Sequence, residues 1–313
     1  MIRRSVRSPG RRARAATAIG ALVVLVAQLV GVAGHAAVPS EALRGGAPAL
    51  GGDAVTAGAR DGDARLDPPV VRAPNAWKPT VRTSWDWQIA SVPTAPYRAV
   101  RMLDVDGFEA TAKDVAAMHA AGTKVVCYVS GGTWERWRPD ADDFPARLKG
   151  ARLDEWPGER WLDVRDVQKR DSVLARIMNK RLAMCRAKGF DAVEWDNMDA
   201  YQNRPGFPLT ARDQLVFNQL VFNNAHAHGM SVLLKNDLDQ VRRLLPYVDG
   251  VLDEQCFQYD ECGLLRPVVA AGKPVFVAEY LDTPGLCRDA RALRYNAVRF
   301  SLDLDGSVFR PCR

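Results

Sequence analysis

The chain has 313 residues, 47% hydrophobic and 26% charged, which suits one large buried core and is too little for two generous domains. Its formal net charge is +6, but Arg3, Arg4, Arg7, Arg11, Arg12 and Arg14 all precede the first acid, Glu41, and account for the whole excess. The rest is close to neutral, so the basic balance is a targeting feature and a nucleic-acid partner is excluded.

The first 36 residues are expected to be a secretory signal peptide. A basic start leads into the apolar stretch Ala15 to Val32, and the small residues Ala33, Gly34, Ala36 and Ala37 suit cleavage near Ala36. The rival is an uncleaved anchor, for which an apolar run of about 18 residues is at the lower limit. The expectation is therefore a secreted, extracellular protein with no membrane association after cleavage. Residues 37–74, rich in Ala, Gly, Pro and Asp, form an expected flexible leader. Residues 75–313 have the composition of a folded domain.

Within that domain the expected strands are Ser84–Ile89, Ala99–Leu103, Lys124–Val129, Ala192–Trp195, Ser231–Lys235, Gly250–Asp253, Pro274–Ala278 and Ala297–Leu302. Amphipathic helices are predicted over Thr111–Ala121, Asp171–Lys188, Thr210–His228, Asp239–Leu245 and Gly263–Ala271. Gly122, Gly189, Gly229 and Gly272 mark returns from helix to strand. This alternation predicts an α/β fold, a single-domain (β/α)8 TIM barrel. A doubly wound open sheet is the alternative, but no Gly-rich loop follows the first strand. The six cysteines point to disulfides in an exported chain, with fifteen possible connectivities. Cys256 and Cys262 could close a small loop, Cys287 and Cys312 could pin the C-terminal tail, and Cys127 and Cys185 would remain. Zinc would need His partners and C-x2-C spacing, which are missing, so neither metal nor cofactor is expected.

Catalytic residues of a barrel sit where strands run into their βα loops. Those positions hold Asp86, Asp104 with Asp106, Ser130, Asp196 with Asp199, Asn236 with Asp237, Glu254 and Glu279. A rim of acids fits a cationic or hydroxyl-rich ligand. Some of them could instead be helix N-caps, Asp106 and Asp237 foremost. Aromatic residues crowd the same ends and loops: Trp85, Trp87, Tyr128, Trp134, Trp137, Trp156, Trp161, Trp195 and Tyr280. Sugar faces stack on such rings while acids and amides hold the hydroxyls. The region from about Gly131 to Arg170 is long for a βα loop, as functional loops often are.

The blocks Trp85-Asp86-Trp87-Gln88, Cys127-Tyr128-Val129-Ser130-Gly131-Gly132, Trp137-Arg138-Pro139-Asp140, Trp156-Pro157-Gly158-Glu159, Glu194-Trp195-Asp196-Asn197, Gly206-Phe207-Pro208-Leu209-Thr210, Leu234-Lys235-Asn236-Asp237, Asp253-Glu254-Gln255-Cys256-Phe257 and Glu279-Tyr280 occur in that order. Together they resemble glycoside hydrolase family 114, the endo-α-1,4-polygalactosaminidases. The resemblance implies a TIM barrel that hydrolyses α-1,4-linked galactosamine polymers, with Asp196 and Glu254 as the catalytic pair. It departs from the family pattern at Trp134, Trp195 and Asp253. Asp253 either raises the proton affinity of Glu254 or faces the helices, since neighbours on a strand point to opposite sides.

Acetal cleavage needs an acid for the leaving oxygen and a carboxylate for the oxocarbenium-like transition state. Asp196 is read as nucleophile or charge stabiliser and Glu254 as acid/base, with the reverse assignment open and a retaining mechanism favoured. Candidates for binding the sugar are Trp85, Asp86, Asp104, Tyr128, Ser130, Trp134, Glu194, Asn197, Asp199, Asn236, Asp237, Gln255, Glu279 and Tyr280. The expected partner is a cationic galactosamine polysaccharide, cut by a monomer. His226 and His228, two apart on a helix, do not share a face for a metal. Asp104-x-Asp106-Gly107 is only a fragment of a calcium loop. A glycosidase of different specificity and a non-catalytic sugar-binding barrel are the alternatives.

Overall fold

The computed structural model of the protein describes residues 66–154 and 156–312. The expected signal peptide, and the leader up to residue 65, lie outside the described residues. In chain order the elements are β1 (Trp85–Gln88), β2 (Met102–Asp106), α1 (Ala112–Ala120), β3 (Lys124–Ser130), β4 (Thr133–Glu135), β5 (Lys149–Arg152), β6 (Glu159–Leu162), α2 (Val173–Lys188), β7 (Ala192–Asp196), α3 (Ala211–Ala227), β8 (Ser231–Lys235), α4 (Val241–Leu244), β9 (Gly250–Glu254), α5 (Arg266–Ala270), β10 (Val275–Glu279), α6 (Leu286–Leu293), β11 (Asn296–Phe300) and β12 (Phe309–Pro311).

Strands β1, β2, β3, β7, β8, β9, β10 and β11 pair in that order, all parallel, and β12 runs antiparallel along β11. This is the expected TIM barrel, nearly closed. The seam between β1 and β11 is bridged by the Trp85 indole N–H, which donates to the carbonyl of Asn296 at 2.7 Å. The Arg98 guanidinium stacks over Phe309 of β12 at 4.6 Å on the same side.

Alternation along each strand divides the core into two sets. Trp85, Trp87, Met102, Val126, Ala192, Leu233, Leu252, Phe276, Ala278, Val298 and Phe300 fill the barrel. Leu103, Val105, Val125, Cys127, Val193, Trp195, Val232, Leu234, Val251, Val275 and Val277 face the helices. The helices start at strong caps. Thr111 and Thr210 each form a reciprocal capping box with the Asp three residues on, and the hydroxyl of Ser172 accepts the amide of Ala175. Gly189 ends α2 in the left-handed conformation at φ 93°.

Three features differ from expectation. The second strand lies at Met102–Asp106 rather than Ala99–Leu103, so Asp104 and Asp106 belong to the strand itself. Acids are poor strand formers, but here they occupy inward positions, and Arg138 meets Asp106 there at 2.7 Å. The long loop after β3 contains its own antiparallel sheet, in the order β4, β6, β5, which rises as a wall beside the barrel mouth. The leader was expected to reach Pro74, but residues from Asp67 onward already pack on the domain. The amide of Val70 donates to Asn223 Oδ1 at 2.8 Å, and Arg72 pairs with Asp249 at 2.7 Å. That stretch has no periodicity to betray it, because it docks through backbone amides and one guanidinium.

The cysteines pair as Cys127–Cys185, Cys256–Cys262 and Cys287–Cys312. The first ties β3 to α2, and the last ties α6 to the chain just beyond β12. Among the described residues no helix is long and apolar enough to cross a membrane.

Candidate active site

Parity decides which rim residues meet. Continuing the inward series of each strand toward its C-terminal end brings Asp104 and Asp106 on β2, Tyr128 and Ser130 on β3, Glu194 and Asp196 on β7, Lys235 on β8, Glu254 on β9 and Tyr280 after β10 to one mouth. Lys235 stands at the centre. Its ammonium is 3.0 Å from Asp196 Oδ1, 2.9 Å from Glu254 Oε2 and 3.7 Å from Glu194 Oε1, and it lies 4.7 Å above the Trp87 ring. Asp196 and Glu254 thus share one cation. Their near oxygens lie no farther apart than those two contacts laid end to end.

Each carboxylate has further partners. The Tyr128 hydroxyl donates to Asp196 Oδ2 at 2.8 Å, and the Asn197 amide donates to Asp196 Oδ1 at 2.8 Å. Burial pushes the Asp196 carboxyl up, but Lys235, Tyr128 and the Asn197 amide outweigh it and hold it below the ordinary value. The Tyr280 hydroxyl donates to Glu254 Oε1, and the Glu254 amide is held at 3.0 Å by Asn236 Oδ1. Burial alone would lower the proton affinity of Lys235. The charges of Asp196, Glu254 and Glu194 reverse this and lift it well above the usual value, so it is a cation at any working pH.

The cleft above this centre has a volume of about 390 Å³. One wall comes from the inserted sheet, with Glu135, Trp137, Arg138, Trp156 and Glu159, and another from Ile89, Ala90 and Leu302–Leu304. Trp137 and Trp156 are 50% and 55% exposed, unlike the barrel tryptophans. Arg138 joins the insert to the barrel, reaching Asp106 at 2.7 Å and Glu135 at 2.6 Å. Burial, with Glu135 and Asp196 nearby, pushes Glu159 up to about 7. Burial and the charge of Asp196 push Asp199 up to about 6. Among the described residues no group of three or more His, Cys, Asp or Glu side chains is arranged to hold a metal ion.

Of the residues singled out from sequence, Asp196, Glu254, Tyr128, Asn197, Asp199, Asn236, Gln255 and Tyr280 line the cleft. Asp104 and Glu194 lie sealed beneath its floor. The others are elsewhere. Trp85 is packed deeper in the barrel against Phe276 and Phe300. Asp86 has the outward parity and pairs with Arg98 at 2.8 Å. Glu279 also points outward, accepting the amide of Phe257 at 2.9 Å. Ser130 is buried against Thr133 at 2.6 Å. The Trp134 indole donates to the Ala141 carbonyl at 2.9 Å, with Lys149 over its ring. Asp237 accepts from Asn218 at 2.9 Å and from Tyr201 at 3.2 Å, and caps no helix. Asp253 shares the outward parity of Val251, facing the helices and not the cleft.

Three successive strands end in non-glycine residues of left-handed backbone: Asn197 (φ 60°), Asn236 (φ 51°) with Asp237 (φ 48°), and Gln255 (φ 67°). Asn and Asp tolerate this region; Gln has no such excuse, and strain of this kind gathers at functional sites. Gly132 is also constrained, since a Cβ there would fall 1.7 Å from the carbonyl oxygen of Asn197. Only glycine lets the insert leave β3 so close to the end of β7.

A nearly closed parallel barrel, with two carboxylates converging in a cleft at the C-terminal mouth, defines a TIM-barrel glycoside hydrolase. The chain belongs to glycoside-hydrolase family GH114, whose model matches residues 67–313. It is similar to Aspergillus fumigatus Ega3, solved in complex with galactosamine, at 33% identity and a TM-score of 0.68 over 73% of this chain and 95% of that one. The glycoside hydrolase domain of PelA from Pseudomonas aeruginosa shares the fold at 17% identity and a TM-score of 0.58, over 72% of this chain and 98% of that one. An uncharacterized protein of Deinococcus radiodurans is 29% identical over 272 residues, 73% of this chain and 83% of its own length.

Proposed function

We propose that this enzyme is exported and cuts α-1,4-linked galactosamine polymers within the chain, by double displacement, with Asp196 as nucleophile and Glu254 as acid/base. The observation that carries this reading is the single ammonium of Lys235, contacted at 3.0 Å and 2.9 Å by the two carboxylates. Near oxygens so placed fall short of the about 6.5–9.5 Å typical of inverting pairs and suit a direct attack. Asp196, held ionised, attacks the anomeric carbon while the leaving oxygen takes a proton from Glu254. Water then displaces Asp196 and returns a proton to Glu254, so the anomeric configuration is kept.

The substrate class is supported by the cleft's chemistry and by the galactosamine found with Ega3. Asp199, Glu135 and Glu159 add acidic character beside Asp196 and Glu254, which favours sugar ammonium groups over neutral hydroxyls. The exposed Trp137 and Trp156 offer stacking faces for sugars beyond the scissile bond. Export is supported by the basic and apolar start of the sequence and by three disulfides.

The test is hydrolysis of partially deacetylated galactosaminoglycan, with products sized by mass spectrometry and the first-formed anomer read by NMR. Asp196→Asn and Glu254→Gln should each lower kcat by roughly 10³-fold or more, against about 10²–10⁴ for a single general acid–base group. The wild type should release oligosaccharides with the α configuration first. Undiminished activity in either variant, or a β product, refutes the assignment.

A further inference from the structure

Two acids beneath the cleft floor have no donor. Asp104 on β2 and Glu194 on β7 are both 0% exposed. Among the described residues, no N–H or O–H group meets any of their four carboxyl oxygens. Both acids point into the barrel from the strands that flank β3, Asp104 level with Val126 and Glu194 level with Tyr128, and each carboxyl is the other's hydrogen-bonding neighbour. Two carboxylates are acceptors only, so such a contact requires a proton on one of them. Two full charges in dry contact would repel strongly. Among the described residues the one cation within reach is Lys235, 3.7 Å from Glu194 Oε1, and it is already shared by Asp196 and Glu254.

We propose that Asp104 and Glu194 share one proton and act as positioning residues, their single negative charge seating the Lys235 ammonium between Asp196 and Glu254. The proton count stands on burial and the missing donors. Its consequence for catalysis rests on the roles given above to Asp196 and Glu254.

The titratable and charged groups facing the pair are Asp106 on β2, Tyr128 on β3, Asp196 on β7 and Lys235 on β8; Glu254 on β9 and Tyr280 after β10 act on Lys235, and β1 and β11 present Trp87 and Phe300. Burial raises the proton affinity of both acids, Asp104 to about 7 and Glu194 further, in line with a proton held at neutral pH. The charge count then has a purpose. If the pair were neutral, the full field of the ammonium would fall on Asp196 and Glu254, and the general acid would lose its proton too early. If both members were ionised, the ammonium would be drawn down toward the floor and away from the cleft. One shared proton avoids both states.

The test uses three nearly isosteric variants. Asp104→Asn and Glu194→Gln each remove one carboxyl but keep one negative charge, while the double variant removes the charge. The shared proton is read by the infrared absorbance of a protonated carboxyl at pH 7, which should diminish in each single variant. An unchanged band in both singles overturns the proposal, whatever the enzyme's substrate. The charge is read by the pH profile of kcat/KM on partially deacetylated galactosaminoglycan. The singles should keep both limbs near the wild-type positions. The double variant should move both limbs to lower pH by about one unit, as loss of a nearby buried negative charge does. Limbs that stay in place in the double variant, or singles that each shift as far as the double, overturn it. Failure of the catalytic roles would appear separately, as full activity in Asp196→Asn or Glu254→Gln.

Discussion

Lys235 draws a cation into a ring of acids, and its removal should be felt in both rate and stability. Lys235→Met keeps the length of the side chain and the contact with Trp87 but leaves Asp196, Glu254 and the floor pair without a counter-charge. Breaking a buried ion pair from one side costs about 3–5 kcal/mol. We expect that order of loss at pH 7 by urea denaturation, shrinking toward pH 5 as the orphaned acids take up protons. The sign follows from Lys235 being held above its ordinary proton affinity in the fold. On the alkaline side its contribution is lost only as pH rises through its raised folded value; on the acid side it shrinks as its partner carboxylates take up protons. In sequence this residue stood at the end of a strand and inside the Leu234-Lys235-Asn236-Asp237 block without a role of its own, and a lysine at a strand end usually marks an exposed edge. Its inward parity with Leu233 was the available signal. The same parity separates Asp196 and Glu254, which face the cleft, from Asp86 within β1 and Glu279 at the end of β10, which face away. Strand ends could be read from pattern. Facing could not be read until the boundaries were fixed to the residue, because a slip of one position inverts every side chain.

At the scale of elements, apolar runs and caps located the barrel, and the errors fell where polar residues served the site. Asp104 and Asp106 hid the C-terminal half of β2. The wall of β4, β5 and β6 was visible only as excess loop length and a concentration of tryptophan. Its strands are short, and its cohesion comes from buried arginines rather than alternation. Arg181 on α2 donates to the Ser130 carbonyl at 2.7 Å and clasps Asp140 with two nitrogens, at 2.8 Å and 2.9 Å. The wall so fixed carries Trp137 and Trp156 into the cleft. Because both rings are half exposed, Trp137→Ala and Trp156→Ala should leave the melting temperature nearly unchanged. Each should raise KM for the polymer by about five- to tenfold, roughly 1–1.4 kcal/mol, near the upper range of a single aromatic contact. kcat should change little, since among the described residues the cation–π contact of Lys235 is with Trp87 and the hydrogen bonds to Asp196 and Glu254 come from Tyr128, Asn197, Tyr280 and Lys235 rather than from either ring. Steady-state kinetics on long and short oligomers would check this, with the KM effect fading as the oligomer becomes too short to reach the wall.

For the whole molecule, concentrating acids at one end of a barrel makes stability depend on pH in a definite direction. Burial pushes Asp104 and Glu159 up to about 7, Asp199 up to about 6 and Asp237 up to about 9. Between the unfolded carboxylate value near pH 4 and those values, the folded state holds protons that the unfolded chain has released, so stability falls as pH rises. In the opposite sense, Asp249 is held low because His226 and Arg72 offset its burial, and Asp166 because the Leu174 amide, Lys169 and Ser172 offset its own. Their contributions are lost below about pH 4. The protein should therefore be most stable in mild acid. Asp237 gives the cleanest check, because it is buried outside the cleft and its left-handed backbone suits asparagine. In Asp237→Asn the amide oxygen can accept from Asn218 and the amide nitrogen can donate to the Tyr201 oxygen, so both contacts survive without a charge. The variant should match the wild type near pH 4 and gain on it steadily up to about pH 9, by about 1.4 kcal/mol for each pH unit over which the folded acid keeps a proton that the unfolded chain has released. Thermal melts of the two proteins across that range would decide it. Parallel curves would mean that Asp237 releases its proton in the fold as readily as in the unfolded chain.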